Sequence, residues 1–203
     1  MDIYGYDESF RKNKGFLVAG LDEAGRGPIA GPVVAAAVIL PPDLRIQGLK
    51  DSKKLTEKQR QSIFRELLCD AADIGVGISD VDVIDRVNIL EATKLAMAAA
   101  IEDLSTRPEM LLIDAVRLPA VKIEQNSPYK GESLSASIAA ASVVAKVIRD
   151  GIMEDYHGTY PEYGFDRHKG YSTKSHVEAL QEHGPCPIHR RSFGAVLSPL
   201  LPF

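Results

Sequence analysis

The longest helical pattern in the chain runs from Ser133 to Tyr156, and its first half, Ala136-Ser137-Ile138-Ala139-Ala140-Ala141-Ser142, is made almost wholly of small residues. A segment with so little side-chain bulk permits its backbone to lie close against a sheet, while Val144, Ile148 and Ile152 continue the apolar face. The rest of the sequence offers the strands. Phe16 to Leu21 reads as a buried strand ending in Asp22-Glu23 and a glycine-rich loop. Val33 to Leu40 is a second strand closed by Pro41-Pro42, and Ile74 to Ile78 a third. Met110 to Asp114 is a short strand ending in an acid, and Val121 to Ile123 starts another. Helical patterns fall at Thr56–Ala72, with Thr56 as N-cap, at Asp80–Arg86, at Ile89–Leu104 and at Thr173–His183. Strands clustered early and interleaved with helices predict an α/β fold in which helices cover a mixed sheet. Residues 1–14 are polar and read as an irregular lead-in to one domain spanning 15–203, its C-terminal helices included.

A chain of 203 residues buries roughly 70% of the surface its unfolded form exposes and needs no staples. Cys69 and Cys186 lie far apart and outside any CxxC, so they read as free thiols. The longest nearly apolar stretch, Ile29 to Pro42, is too short for a bilayer and is broken by Gly31 and Pro32. With no signal pattern at the N-terminus, a cytoplasmic protein without a membrane partner is expected. The net charge of −4 argues on its face against a nucleic-acid partner. Distribution matters more than the sum, because phosphate is read by local patches. Basic groups cluster at Lys50/Lys53/Lys54, Arg167/His168/Lys169 and His189/Arg190/Arg191, and acids concentrate in 57–109 and 150–166.

Asp22, Glu23 and Asp114 all sit where strands end, and strand ends along one edge of an α/β sheet are where ligands bind. Each alone reads equally as a cap for the turn that follows. Together they repel, by roughly 4 kcal/mol for a pair about 4 Å apart at an effective dielectric near 20. Protonation or cations must relieve a cluster of three or four. Hard divalent cations take oxygen ligands, whereas no His/Cys spacing here matches zinc. Two such ions clamp the attacking and leaving oxygens of a phosphodiester. The acids thus point to metal-dependent phosphoryl hydrolysis.

The run Asp22-Glu23-Ala24-Gly25-Arg26-Gly27-Pro28, with Ala30-Gly31-Pro32-Val33-Val34 behind it, closely resembles the signature of bacterial ribonuclease HII. Asp51-Ser52-Lys53-Lys54-Leu55, the run from Ser137 to Asp150, His168-Lys169-Gly170-Tyr171 and His189-Arg190-Arg191-Ser192-Phe193 match in the same order. The resemblance implies a ribonuclease H-like fold, a mixed central sheet flanked by helices, with a small C-terminal helical portion over the substrate groove. It implies two Mg²⁺ or Mn²⁺ ions among four carboxylates, of which Asp22, Glu23 and Asp114 match three. The fourth belongs to a Lys-Gly-Asp motif that reads Lys130-Gly131-Glu132 here, a departure that keeps the charge and adds a methylene. Asp150 is a poorer candidate, about 18 residues and roughly 27 Å further along the helix, and pairs better with neighbouring charges or solvent.

By the same resemblance, Gly25-Arg26-Gly27 reads the ribose 2′-hydroxyl and the adjoining phosphate. Glycines let the backbone approach the sugar, and Arg26 offers a planar fork to phosphate. Tyr171 matches the tyrosine that packs on the deoxyribose after the ribonucleotide. Ser52 and Lys53 match backbone-phosphate contacts, with His168, Lys169, Arg190 and Arg191 as secondary candidates. The implied reaction is hydrolysis 5′ of a ribonucleotide, in an RNA–DNA hybrid or embedded in duplex DNA, leaving 3′-hydroxyl and 5′-phosphate ends. A monomer is expected, and the tail Leu200-Leu201-Pro202-Phe203 offers a docking segment for a sliding clamp, against packing on its own domain or disorder. Two rivals stay open: another ribonuclease H, of type HI or HIII, and a non-catalytic nucleic-acid-binding module.

Overall fold

The computed structural model describes residues 2–13 and 15–197. β1 (Val18–Ala24) and β2 (Val33–Ile39) form an antiparallel hairpin, and β3 (Asp73–Ser79) extends it antiparallel to β2. β4 (Met110–Ile113) and β5 (Glu124–Asn126) add in parallel on the other side of β1, giving the order β3-β2-β1-β4-β5. The expected α/β class and mixed sheet are therefore present.

The helices are α1 (Ile3–Glu8), α2 (Glu57–Asp70), α3 (Val81–Val87), α4 (Ile89–Glu102) and α5 (Ala136–Thr159). Beyond them come α6 (Phe165–His168), α7 (Lys174–His183) and α8 (Gly194–Leu197). Side chains of the buried strand β2 alternate between faces. Ala36 and Val38 pack with α2 and α5, while Ala35, Ala37 and Ile39 pack with α3 and α4. The small residues of α5 do bring its backbone onto the sheet. A Cβ at Gly20 of β1 would overlap the backbone at Ser137 and Ile138, and one at Gly77 of β3 would overlap the backbone of α4. Thr56 caps α2 in a capping box with Gln59.

Three expectations need correction. The first strand runs on to Ala24, because Asp22, Glu23 and Ala24 pair with Ala36, Ala35 and Val34 of β2. The acids therefore lie in the strand, on a hairpin overhanging the shorter β4. The last strand starts at Glu124, not Val121, since Val121 closes a turn onto Leu118 and the Gln125 side chain ties that turn down. Residues 1–14 are not irregular throughout: α1 is capped by Asp2 and carries the buried Asp7 to the start of α5. There Asp7 accepts hydrogen bonds from the Ser137 amide at 2.8 Å and its hydroxyl at 2.7 Å. Both cysteines are free thiols. Among the described residues no helix is long and apolar enough to cross a membrane. The tail 200–203 lies outside the described residues.

Candidate active site

The sheet register brings the acids together. Leu21 pairs with Ile113 in the parallel ladder, and the Asp114 amide donates to the Leu21 carbonyl at 3.1 Å, so Asp22 and Asp114 leave the core side by side. Glu132 arrives from the 3-10 turn Gly131–Ser133 ahead of α5. That turn is tied to β4 by the Gly131 amide, which donates to Asp114 Oδ1 at 2.7 Å. A Cβ on Gly131 would press on Ile138 Cδ1 at 2.6 Å, so a larger residue between Asp114 and α5 would require the Ile138 side chain to move. Asp22 Oδ1 accepts from the Glu23 amide at 2.7 Å.

These carboxylates are costly to ionise together. Burial, with Glu23 and Asp114 adding repulsion, pushes Asp22 well above the usual carboxylate range. Burial also raises Glu23, against the pull of Arg26, and raises Glu132, with Asp114 and Asp51 adding repulsion. Glu23 Oε2 and Glu132 Oε2 are buried without a hydrogen-bond partner. Oxygens left bare in an acidic cluster suit hard divalent cations, so this set fits the group the resemblance implies. It is not a closed cage: among the described residues no three acidic, imidazole or thiol groups converge as ligands of one ion.

The glycine loop beside the acids is shaped from behind. Arg190 is fully buried and donates to five backbone carbonyls: Gly25 at 2.6 Å, Pro28 at 2.6 Å, Gly31 at 2.9 Å, Arg26 at 3.1 Å and Pro32 at 3.2 Å. Arg149 of α5, equally buried, donates to Pro32 at 3.0 Å, Ala30 at 3.1 Å and Lys169 at 2.9 Å. The carbonyls are drawn inward, and Gly25, at φ 101°, has Arg149 where a Cβ would stand. Burial lowers both guanidinium pKa values, that of Arg190 to about 9. Arg190, a secondary candidate for phosphate, is buried and serves as the loop's internal frame instead. Lys169 pairs with Glu154 at 2.6 Å, and His168 bonds the Tyr163 carbonyl at 2.7 Å, so both are engaged within the fold. Arg191 is exposed, and its amide is held by Asp85 at 2.9 Å.

Asp22, Glu23, Gly25, Arg26, Gly27, Ser52, Lys53 and Tyr171 line one groove. Arg26 reaches Glu23 Oε1 at 3.2 Å. Ser52 is buried, its amide bonded to the Ser142 hydroxyl at 3.2 Å, while Lys53 is exposed. Burial lowers the Lys53 pKa, but Asp22, Asp51, Glu132 and Asp114 outweigh it and raise the value, so Lys53 stays charged at the acids. Tyr171 is 44% exposed, which excludes a core role for its ring.

Two residues escaped the sequence reading. Lys146 also lines the groove, 5.9 Å from the Tyr171 ring centroid, and is held by Asp150 at 2.7 Å. Its i,i+4 spacing from Asp150 was the available signal. Asp51, buried, accepts from the Lys53 amide at 3.0 Å and fixes the Ser52–Lys53 turn.

A mixed five-stranded sheet with acids grouped at its β1–β4 edge defines a protein with the ribonuclease H-like fold. The family model of ribonuclease HII matches residues 19–196. A ribonuclease HII from Acetivibrio thermocellus is 56% identical over 177 residues, 87% of this chain and 69% of that protein. Among solved structures, ribonuclease H2 from Pyrococcus horikoshii OT3 superposes with TM-score 0.77 at 27% identity, covering 91% of this chain and 97% of that one. Ribonuclease HII from Archaeoglobus fulgidus, solved in complex with PCNA, gives 0.74 at 26% identity, covering 86% and 94%. A Bst ribonuclease HIII solved with Mn²⁺ shares the fold at TM-score 0.70 and 17% identity, covering 93% of this chain and 70% of that one. The chain belongs to the ribonuclease HII family and is a ribonuclease H, an endonuclease acting on RNA in RNA–DNA hybrids and on embedded ribonucleotides.

Proposed function

We propose that this enzyme hydrolyses the phosphodiester on the 5′ side of a ribonucleotide, leaving 3′-hydroxyl and 5′-phosphate ends. In this reading Asp22, Glu23, Asp114 and Glu132 hold two divalent cations, Mg²⁺ or Mn²⁺. One observation carries it. Four carboxylates from three stretches of chain, Asp22-Glu23, Asp114 and Glu132, lie close enough at one end of the sheet to repel one another, two of them with bare buried oxygens, beside a loop whose carbonyls are turned away. When bound, the cations supply Lewis-acid stabilisation at the scissile phosphate and lower the pKa of the attacking water.

The chain's own groups do the rest. Gly25 and Gly27 let the sugar approach the backbone, and Arg26, shared with Glu23, offers its fork to the adjoining phosphate. Lys53 and Ser52, lining the same groove, take the backbone phosphates, and Lys146 adds positive charge beside the Tyr171 ring. Tyr171 packs on the sugar that follows. Strong rejection of all-DNA duplex requires the 2′-hydroxyl to govern alignment as well as binding, because one hydrogen bond supplies only about 1–3 kcal/mol. The catalytic unit in this reading reaches from the glycine loop to the C-terminal segment, since Arg190 builds the loop some 160 residues earlier.

The substrates in this reading are RNA–DNA hybrid and duplex DNA containing ribonucleotides, met in the cytoplasm by a monomer. PCNA is a partner of the archaeal relative; the tail 200–203 that suggests clamp docking lies outside the described residues. Cleavage of a duplex carrying one ribonucleotide, with and without EDTA, tests the reading. Cutting 5′ of the ribonucleotide that stops with EDTA and returns with Mg²⁺ or Mn²⁺ is expected. Cutting that persists in EDTA overturns the metal reading, and no cutting under any condition leaves a binding module.

A further inference from the structure

Behind Tyr171 lie three histidines, His168, His176 and His189, none of which the chemistry above uses. His176 and His189 are fully buried, and their Nε2 atoms lie 3.0 Å apart. Backbone groups dictate where the protons sit. The Cys186 amide is an obligatory donor and points at His189 Nδ1 at 3.0 Å, so that nitrogen accepts. His189 then carries its proton on Nε2 and donates it to His176 Nε2. His176 is left with its proton on Nδ1, which donates to the Tyr171 carbonyl at 2.8 Å. Burial holds both imidazoles neutral, each pKa lowered to about 4.

His168 steadies the same turn from the other side. It stacks on His176 with ring centroids 4.3 Å apart, and its Nδ1 accepts from the Gly170 amide at 3.2 Å. The Gly170 carbonyl in turn accepts from the Ile29 amide at 2.9 Å, which ties the turn to the glycine loop. We propose that His176 and His189 are positioning residues for the reaction. Their directed chain of neutral imidazoles, from the Cys186 amide to the Tyr171 carbonyl, sets Tyr171 against the glycine loop. It thereby sets the preference for a ribose–deoxyribose junction over a continuous hybrid. This rests on the reading of Tyr171 as the residue that packs on the following deoxyribose.

The test compares kcat and KM on a duplex with a single ribonucleotide and on a continuous RNA–DNA hybrid. His176→Phe keeps a ring in the stack and removes both hydrogen bonds. It is expected to lower the junction-to-hybrid ratio of kcat/KM about tenfold, the scale of one buried hydrogen bond, and Tyr171→Ala is expected to do the same. His176→Asn keeps a donor towards the Tyr171 carbonyl and should recover most of that ratio. In the Tyr171→Ala background, His176→Phe should lower the ratio no further, since residues acting through one another are not additive.

Equal loss on both substrates, or a further fall in the double variant, overturns the proposal. If Tyr171→Ala itself leaves the ratio unchanged, the reading of Tyr171 fails, and the proposal with it. ¹⁵N spectra of the wild-type histidines near neutral pH check the chain without any variant. His176 protonated on Nδ1 and His189 on Nε2 are expected, and the opposite tautomer at either ring overturns the relay.

Discussion

At the scale of single residues, the site is a problem in charge. Asp22 and Asp114 leave adjacent parallel strands, so any charge on one is felt by the other. Asp22→Asn and Asp114→Asn remove that charge with little change of shape. Each is expected to lose nearly all cleavage in saturating Mg²⁺ while keeping the wild-type circular dichroism spectrum. A variant retaining a tenth of wild-type rate would show that its position is not an essential ligand. Glu132 tests the departure from the Lys-Gly-Asp pattern. Its extra methylene moves the carboxylate by at most about 1.5 Å, a large shift for the strict octahedron of Mg²⁺. Activity should be relatively higher in Mn²⁺ than in Mg²⁺. Glu132→Asp should retain activity and Glu132→Gln lose most of it with either ion; wild-type rates from Glu132→Gln would place the fourth ligand elsewhere.

At the scale of elements, the C-terminal helices form the back wall of the substrate loop. Arg190 and the paired histidines lie in or beside the segment that follows α7, and their partners lie in the loop 25–32 and the turn at Tyr171. This wall carries a built-in acid sensitivity. His176 and His189 have pKa values near 4 when folded, against 6.5 ordinarily. Between those values the unfolded chain binds more protons, so stability falls as pH drops from about 6.5 to 4, by up to about 1.4 kcal/mol per unit for each ring. Urea unfolding across this window should show a shallower pH slope for His189→Gln than for the wild type. Identical slopes would mean that His189 is already charged in the folded protein.

Across the whole molecule, the acids act in the opposite sense. Asp22, Glu23 and Glu132 have raised pKa values, so ionising them costs stability as pH rises through the carboxylate range and above it. A divalent cation cancels that cost only where the acids are ionised. Mg²⁺ should therefore raise the Tm more at pH 8 than at pH 5, as scanning calorimetry in matched buffers would show. Asp22→Asn should remove most of the Mg²⁺ increment and raise the Tm measured in EDTA, by about 2–4 °C for each kcal/mol of repulsion relieved. An increment independent of pH, or unchanged in Asp22→Asn, would place the stabilising ion away from these acids.

The sequence by itself determined the class of fold and the chemistry on offer. Small residues over Ala136–Ser142 permitted close packing on a sheet, periodicity placed α2, α4 and α7, and apolar runs ending in acids pointed to Asp22, Glu23 and Asp114. Local signals sufficed there because burial and capping act over a few neighbouring residues. Only the tertiary structure decided what the basic residues do. Arg190 and His189 look like surface charge in a His-Arg-Arg run, yet one frames a loop some 160 residues earlier in the chain and the other is held neutral by burial. Asp7 likewise looks like part of a polar lead-in and proves to serve the first turn of α5. A charge is exposed or enclosed according to which distant segments surround it, and no window of sequence contains them.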